Sequence, residues 1–327
     1  MAKYNFAKKD FTVNFFIARA YNACNDAMKR GIYRLLNPAR FDYSLMQKRL
    51  VQLVAENKEF SLSTIAKSVL GRDISMITVG SGKRAILFVG THHGSEWMTS
   101  WLLLRFLFDL AERLRSDGAV AGVRQRNIYK GRRLCVVPML NPDGASLSQS
   151  GLTEDCILAD RLLRMNGGSP DFTHWQANAR GVDLNHNYDA GFLAYKEMEP
   201  LLGIEGGCPG RYSGLYPESE PESRAIAALV RLLPFSLILS LHSQGEEMFA
   251  SRNVRDHARI LCRLSDYKLS VPEGSAAYGG LSDYAGNVLG IPSVTVECGR
   301  GENPLPTSTF DAVYLRLRRA LFAAPAM

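Results

Sequence analysis

The sequence predicts an α/β fold in which a mixed, mostly parallel sheet is flanked by helices. Three observations predict it. Short aliphatic and β-branched runs alternate with amphipathic helical patterns along the chain. Beyond about residue 41 no linker, repeat or low-complexity tract divides the sequence, so one large domain is expected over residues 41–327, preceded by a basic, helix-prone extension over residues 1–40. The 327 residues, 46% hydrophobic and 22% charged, are enough to bury a sizeable core and too apolar for a disordered chain.

Taken in order, Leu45, Leu50, Leu53 and Val54 recur at helical spacing and predict a helix from Tyr43 to Asn57. Ile74–Val79 and Ala85–Val89 read as strands separated by the turn Gly80-Ser81-Gly82. A long amphipathic helix is expected from Trp97 to Leu114. Leu134–Leu140 reads as a buried strand ended by Asn141-Pro142-Asp143-Gly144. Pro221–Leu233 predicts a helix, Ser236–Leu241 and Ser293–Glu297 predict strands, and Thr307–Ala323 predicts the last helix.

Composition narrows the function classes. No uninterrupted apolar run approaches the roughly 18 residues that a membrane span needs. The longest candidate, Leu229–Leu241, contains Arg231 and Pro234. The start of the chain is interrupted by Asn14, Arg19 and Asn22 and has no secretory plan, so a cytoplasmic location is expected. Six cysteines lack paired or metal-finger spacing and fit reduced thiols. The net charge of +7 comes from Lys and Arg dispersed among acids. That pattern suits an acidic small substrate, and neither nucleic acid nor membrane is expected as a partner. The sequence leaves the oligomeric state open.

Chemistry-bearing residues gather at strand ends, where α/β folds place their sites. Ala85–Val89 runs into Gly90-Thr91-His92-His93-Gly94-Ser95-Glu96-Trp97, Ser236–Leu241 into His242-Ser243, and Ser293–Val296 into Glu297. The His93-x-x-Glu96 spacing can aim an imidazole and a carboxylate at one point, and His242 can supply a third ligand beside an open position. Each of these residues alone is commonplace. His-x-x-Glu occurs by chance on helix surfaces, and a lone His or Glu at a strand end is ordinarily hydrogen-bonded or solvated. Their occurrence together, in order, at three strand ends is what points to a hydrolytic metal site.

Five motifs in this order, HHGSEW, MLNPDG, GVDLNHN, LHS and VTVE, with YPESEPESRAI between the third and fourth, resemble the zinc metallocarboxypeptidase family. The resemblance runs from roughly Tyr43 to Arg319. It implies an eight-stranded twisted sheet, one zinc ion held by His93, Glu96 and His242, and Glu297 as general base. It also implies that Asp183 is the carboxylate partner of the first histidine, with His92 a neighbour of the ligand.

Departures from the digestive pattern refine the expectation. The family's Asn-Arg-Asn, whose arginine grips a C-terminal carboxylate, reads Asn185-His186-Asn187 here, and imidazole cannot replace the guanidinium fork. The oxyanion-stabilising arginine aligns with Gln176, with Arg180 as the alternative. A gapless register places Ser275 at the active-site tyrosine, with Tyr278 nearby. Asn185, His186, Ser243, Tyr278 and Arg300 are the candidate substrate contacts, and Arg300 could instead pair with Glu302.

The stretch from Glu297 to Pro306, ECGRGENPLP, together with HHGSEW and DLNHN, resembles the bacterial subgroup of γ-D-glutamyl-L-diamino acid peptidases. That implies cleavage of murein peptides between D-glutamate and diaminopimelate or lysine. Three rivals stand beside it. They are a cytosolic carboxypeptidase trimming L-residues, a zinc deacylase of the aspartoacylase type, and an inactive peptide-binding module. A short helical tail after Glu297 argues against the deacylase, and the four retained ligand and base residues argue against the inactive module.

Overall fold

The computed structural model describes residues 41–120, 122–250, 254–271, 274 and 278–327. The extension expected over residues 1–40 and the candidate Ser275 lie outside the described residues.

Eight strands build the main sheet: β1 (Phe60–Lys67), β2 (Asp73–Val79), β3 (Arg84–Gly90), β4 (Arg132–Val137), β5 (Phe235–His242), β6 (Glu247–Ala250), β7 (Lys268–Ser270) and β8 (Ser293–Glu297). Their order across the sheet is β1-β2-β4-β3-β5-β8-β6-β7. The central β4, β3, β5 and β8 are mutually parallel, whereas β1–β2, β2–β4 and β8–β6 are antiparallel. The longer helices are α1 (Tyr43–Glu56), α2 (Met98–Arg115), α3 (Pro142–Ser150), α4 (Pro221–Leu232), α5 (Arg255–Ser265) and α6 (Phe310–Ala323).

Central strands covered on both faces read as continuous apolar runs. In β3 every residue from Ala85 to Gly90 is buried. Leu87, Val89, Val137 and Ile238 pack on one face with Ile226 and Val230 of α4 and with Leu281 and Tyr284. On α2, Phe106 packs at 5.6 Å from Phe88 of β3 and 5.0 Å from Phe322 of α6. Helix starts follow their capping residues: Asp42 accepts from the Leu45 N–H at 2.7 Å before α1, and Asn141 accepts from Gly144 before α3, with Pro142 in the first turn. The strand expected over Leu134–Leu140 ends at Val137, because Pro138 has no N–H to extend the ladder. β1, β6 and β7 carry no clear signal, and α3 and α5 are helices additional to those expected. β1 is mostly exposed, and β6 and β7 are four and three residues long.

Two asparagines hold the loops at the carboxyl ends of β3 and β4. The Asn141 amide donates to the carbonyls of His92, Gln176 and Ala177 at 3.0–3.2 Å. Asn178 braces the adjacent loop in a similar way. Its Oδ1 accepts the N–H groups of Arg180 and Val182, while its Nδ2 donates to the buried carboxyls of Glu220 and Glu222. Glu222 also accepts from the Val69 N–H, and burial, assisted by Asp143, pushes its carboxyl up to about 8.

An acid whose folded pKa is raised stays protonated in the native state at pH values where the unfolded chain has ionised. Its contribution to stability is present below the unfolded value near 4.5 and is lost as pH rises toward 8. Thermal melts of wild type between pH 5 and 8.5 should therefore show a decline that Glu222→Gln flattens. Parallel pH profiles would refute the assignment.

Candidate metal centre and active site

Because β3, β5 and β8 are adjacent and parallel, their carboxyl ends open on the same edge. Gly90 is in register with Leu241, and Glu297 with His242. The chain leaving β3 turns through a short 3-10 helix, Gly94–Glu96, that brings His93 and Glu96 together. His93, Glu96 and His242 each offer a ligand atom, all within 4.8 Å of one another. Among the described residues this is the only such group.

The Glu96 carboxylate lies between the two imidazoles. Its Oε1 is 2.9 Å from His93 Nδ1, and its Oε2 is 3.1 Å from His242 Nδ1. The far nitrogens are held elsewhere: His93 Nε2 lies 3.1 Å from Asp183 Oδ1, and His242 Nε2 lies 3.1 Å from Ser240 Oγ. Both Nδ1 atoms therefore face the common point, with the Nε2 atoms taken up behind them. Asp183 is itself fixed by the N–H groups of Asn185 and Arg211. Two imidazoles and a carboxylate at one point, each with an outer partner, fit a zinc ion with an open position.

The electrostatics agree with a cation there. Burial opposes ionisation of Glu96, but His93 and His242 outweigh it and bring the carboxyl down to about 2. Burial also opposes ionisation of Asp183, yet His93 holds it far below the usual carboxylate range. His93, flanked by those two carboxylates, is pushed well up despite its burial. Glu297, one strand from His242, is pushed well above the usual carboxylate range by burial and then by Glu96. Its cross-strand neighbour on β6 is Glu247.

Residues 46–267 match the zinc carboxypeptidase family. The chain belongs to that family. It is a zinc metallopeptidase, and zinc is the family's metal. The gamma-D-glutamyl-L-diamino acid endopeptidase 1 of Lysinibacillus sphaericus is 32% identical over 294 residues, spanning 88% of this chain and 72% of its own. Carboxypeptidase B of Bos taurus is 26% identical over 203 residues, 60% of this chain and 43% of its own. The crystal structure of carboxypeptidase A from Helicoverpa armigera superposes with a TM-score of 0.66 over 89% of this chain and 75% of that one, at 18% identity. That likeness concerns the fold, and the mixed eight-stranded sheet is common ground. No helix among the described residues is long and apolar enough to cross a membrane.

The remaining candidate residues of this zinc carboxypeptidase are scattered around the centre in different states of engagement. The Ser243 N–H donates to Glu96 Oε2 at 3.2 Å, and its hydroxyl donates to Asn303 at 2.8 Å. The Gln176 carbonyl accepts from the Gly94 N–H at 2.8 Å, which ties its loop to the metal-binding turn. Arg180, with 47% of its side chain exposed, lies 3.4 Å from Glu220. Asn185 accepts from the Leu281 N–H. His186 is half-buried, stacked on Tyr195 at 4.0 Å, and its Nδ1 lies 2.8 Å from the Tyr278 carbonyl. Tyr278 keeps partial exposure, with its ring beside Gly191. Arg300 is 67% exposed and pairs with Glu246 at 2.6 Å rather than with Glu302.

Asn303 was legible only within ECGRGENPLP. In the fold its amide donates to the Ser243 carbonyl at 2.6 Å and lies 3.5 Å from Glu96 Oε1, while its own carbonyl is 2.7 Å from His174 Nδ1. No spacing in the sequence connects Asn303 to Ser243, sixty positions away.

Gly94 gives the turn a sharp test. A Cβ there would stand 2.4 Å from the Gly144 backbone, which the α3 cap holds in place. Gly94→Ala should displace the turn bearing His93 and Glu96, at about 1–3 kcal/mol of stability. It should also weaken zinc binding by at least about tenfold in chelator competition. Wild-type zinc affinity in this variant would show that the turn has slack.

Proposed function

We propose that this zinc carboxypeptidase hydrolyses the γ-D-glutamyl–diamino acid amide of murein peptides, acting as an endopeptidase. The main support is the L. sphaericus endopeptidase at 32% identity over most of the chain. A geometric observation points the same way. Where a carboxylate-gripping arginine is expected, His186 has its Nδ1 at the Tyr278 carbonyl and its ring on Tyr195, so no guanidinium fork stands there. Carboxypeptidase B of Bos taurus at 26% identity keeps exopeptidase action on a free C-terminus as the second reading.

Bound at His93, Glu96 and His242, zinc supplies Lewis-acid polarisation of the scissile carbonyl and acidifies water. Glu297, in register with His242, takes a proton from the attacking water as the general base. The same carboxyl then delivers the proton to the leaving amine as the C–N bond breaks, so the base is restored. Asp183 holds the His93 ring through Nε2 and keeps its Nδ1 turned to the centre. Hydrogen-bond donation to the developing oxyanion falls to Gln176 or to Arg180, whose half-exposed guanidinium has slack at 3.4 Å from Glu220. Asn185, Ser243 and Tyr278 are the further candidate substrate contacts in this reading. Arg300, three residues past the base, offers the free edge of its guanidinium to a substrate carboxylate, with Nε held by Glu246.

Incubating zinc-loaded protein with L-Ala-γ-D-Glu-meso-diaminopimelate-D-Ala should release L-Ala-D-Glu by mass spectrometry, and a chelator should abolish the release. Cleavage of a blocked dipeptide alone would favour the exopeptidase reading. Glu297→Gln should lower turnover by about 10²-fold or more while retaining zinc. Loss of the metal in that variant would contradict the base assignment. His186→Arg should raise cleavage beside a free C-terminal carboxylate, and an unchanged rate would place position 186 away from the substrate.

A further inference from the structure

The second histidine ligand differs from the first in what stands behind it. His93 Nε2 faces Asp183, and an ionised carboxylate can only accept, so a ring proton is fixed on Nε2 and a metal takes the Nδ1 side, which faces Glu96. His242 Nε2 faces the Ser240 hydroxyl, which can donate or accept. Ser240 alone therefore leaves the His242 tautomer undecided.

Ser240 is not alone. Its Oγ also lies 3.3 Å from His92 Nδ1, and His92 Nε2 lies 3.0 Å from the Tyr188 hydroxyl. Tyr188, His92, Ser240 and His242 are each at most 1% exposed. The His92 and His242 rings stack at 5.1 Å, with 22° between their planes. Four polar side chains thus form one chain in the buried interior, ending at His242. Burial makes each link costly to leave unmade.

We propose that Tyr188, His92 and Ser240 are positioning residues that set the tautomer and ring orientation of His242 for zinc. With the Ser240 O–H donating to one of its two ring-nitrogen neighbours, the proton count has two self-consistent solutions. In one, His242 Nε2–H donates to Ser240, Ser240 O–H donates to His92 Nδ1, and His92 Nε2–H donates to the Tyr188 oxygen. In the other, every bond reverses, and the proton arrives on His242 Nδ1, where it faces Glu96 Oε2 at 3.1 Å. Only the first leaves Nδ1 as a lone pair. Zinc at His242 therefore selects one polarity for the whole chain, and His92 in the zinc-loaded protein carries its proton on Nε2. The inference rests on His242 as a zinc ligand.

The test uses the full-length protein, labelled with 15N-histidine and loaded with zinc. Long-range 1H–15N spectra report the tautomer of His92 without any substitution. A proton on Nε2 is expected, and a proton on Nδ1 would overturn the proposal. Chelator competition then gives zinc affinities for Ser240→Ala and Tyr188→Phe, with melts of the metal-free forms to establish that each is folded. Ser240→Ala should lose about 10- to 100-fold in affinity, and Tyr188→Phe, which removes only the last link, should lose less. A folded Ser240→Ala with wild-type affinity would overturn the relay. If Ser240→Ala does not fold, the wild-type spectrum decides. A wild-type protein that took no zinc would overturn the ligand reading itself, whereas zinc bound with the wrong His92 tautomer would overturn only the relay.

Discussion

Glu96 is where the architecture converges. Its two oxygens are met by His93 from the same turn and by His242 from the neighbouring strand, and the Ser243 N–H adds a third contact. A carboxylate buried this deeply is stable as an anion only where positive charge or N–H donors surround it. The three-residue spacing to His93 is local, but the approach of His242 requires β3 and β5 to be parallel neighbours in this register. Sheet order, loop bracing and the close approach of Gly94 to Gly144 all serve to keep that carboxylate between those rings.

Charge explains much of the surrounding construction. Glu96, Asp183 and Glu297 bring three carboxyl groups to one end of the sheet, with Glu247 across the ladder from the last. A dication relieves that concentration, and Asp183 and Glu96 each use an imidazole to share it. A second carboxyl set, Asp143, Glu220 and Glu222, lies beneath the Asn178 loop and is handled differently. Arg72 reaches Asp143 at 2.6 Å, Arg180 reaches Glu220, and Glu222 rises to about 8 and stays protonated at neutral pH. One set is arranged for a metal, and the other closes the loop that carries Gln176 through Asp183.

The segments around the centre are tightly braced. His186 is folded into the wall between Tyr195 and the 278 segment, where Gly279 approaches the His186 backbone so closely that a Cβ would stand 2.7 Å from its carbonyl oxygen. Asn303 returns the chain past Glu297 onto Ser243, and Glu246 pairs with Arg300 from the loop between β5 and β6. These contacts couple the segment after Glu297 to the turn that bears His93 and Glu96.

The central strands, helices α1, α2, α4 and α6, and the polar residues that end the apolar runs could be read along the chain. A doubly buried strand such as β3 is continuously apolar, so a histidine or glutamate just past such a run stands out. Exposed or very short elements such as β1, β6 and β7 left no such contrast, and their places came from pairing. Of the partners standing behind the ligands, Asp183 was implied by the family resemblance, and Ser240, His92 and Tyr188 emerged only in the fold. His92 meets Tyr188 across 96 positions and Ser240 across 148, and Asn303 reaches Glu96 across 207. Spacing along the chain encodes only contacts within a turn or a strand. Contacts between loops depend on sheet order and register, which the physics of packing settles across the whole molecule.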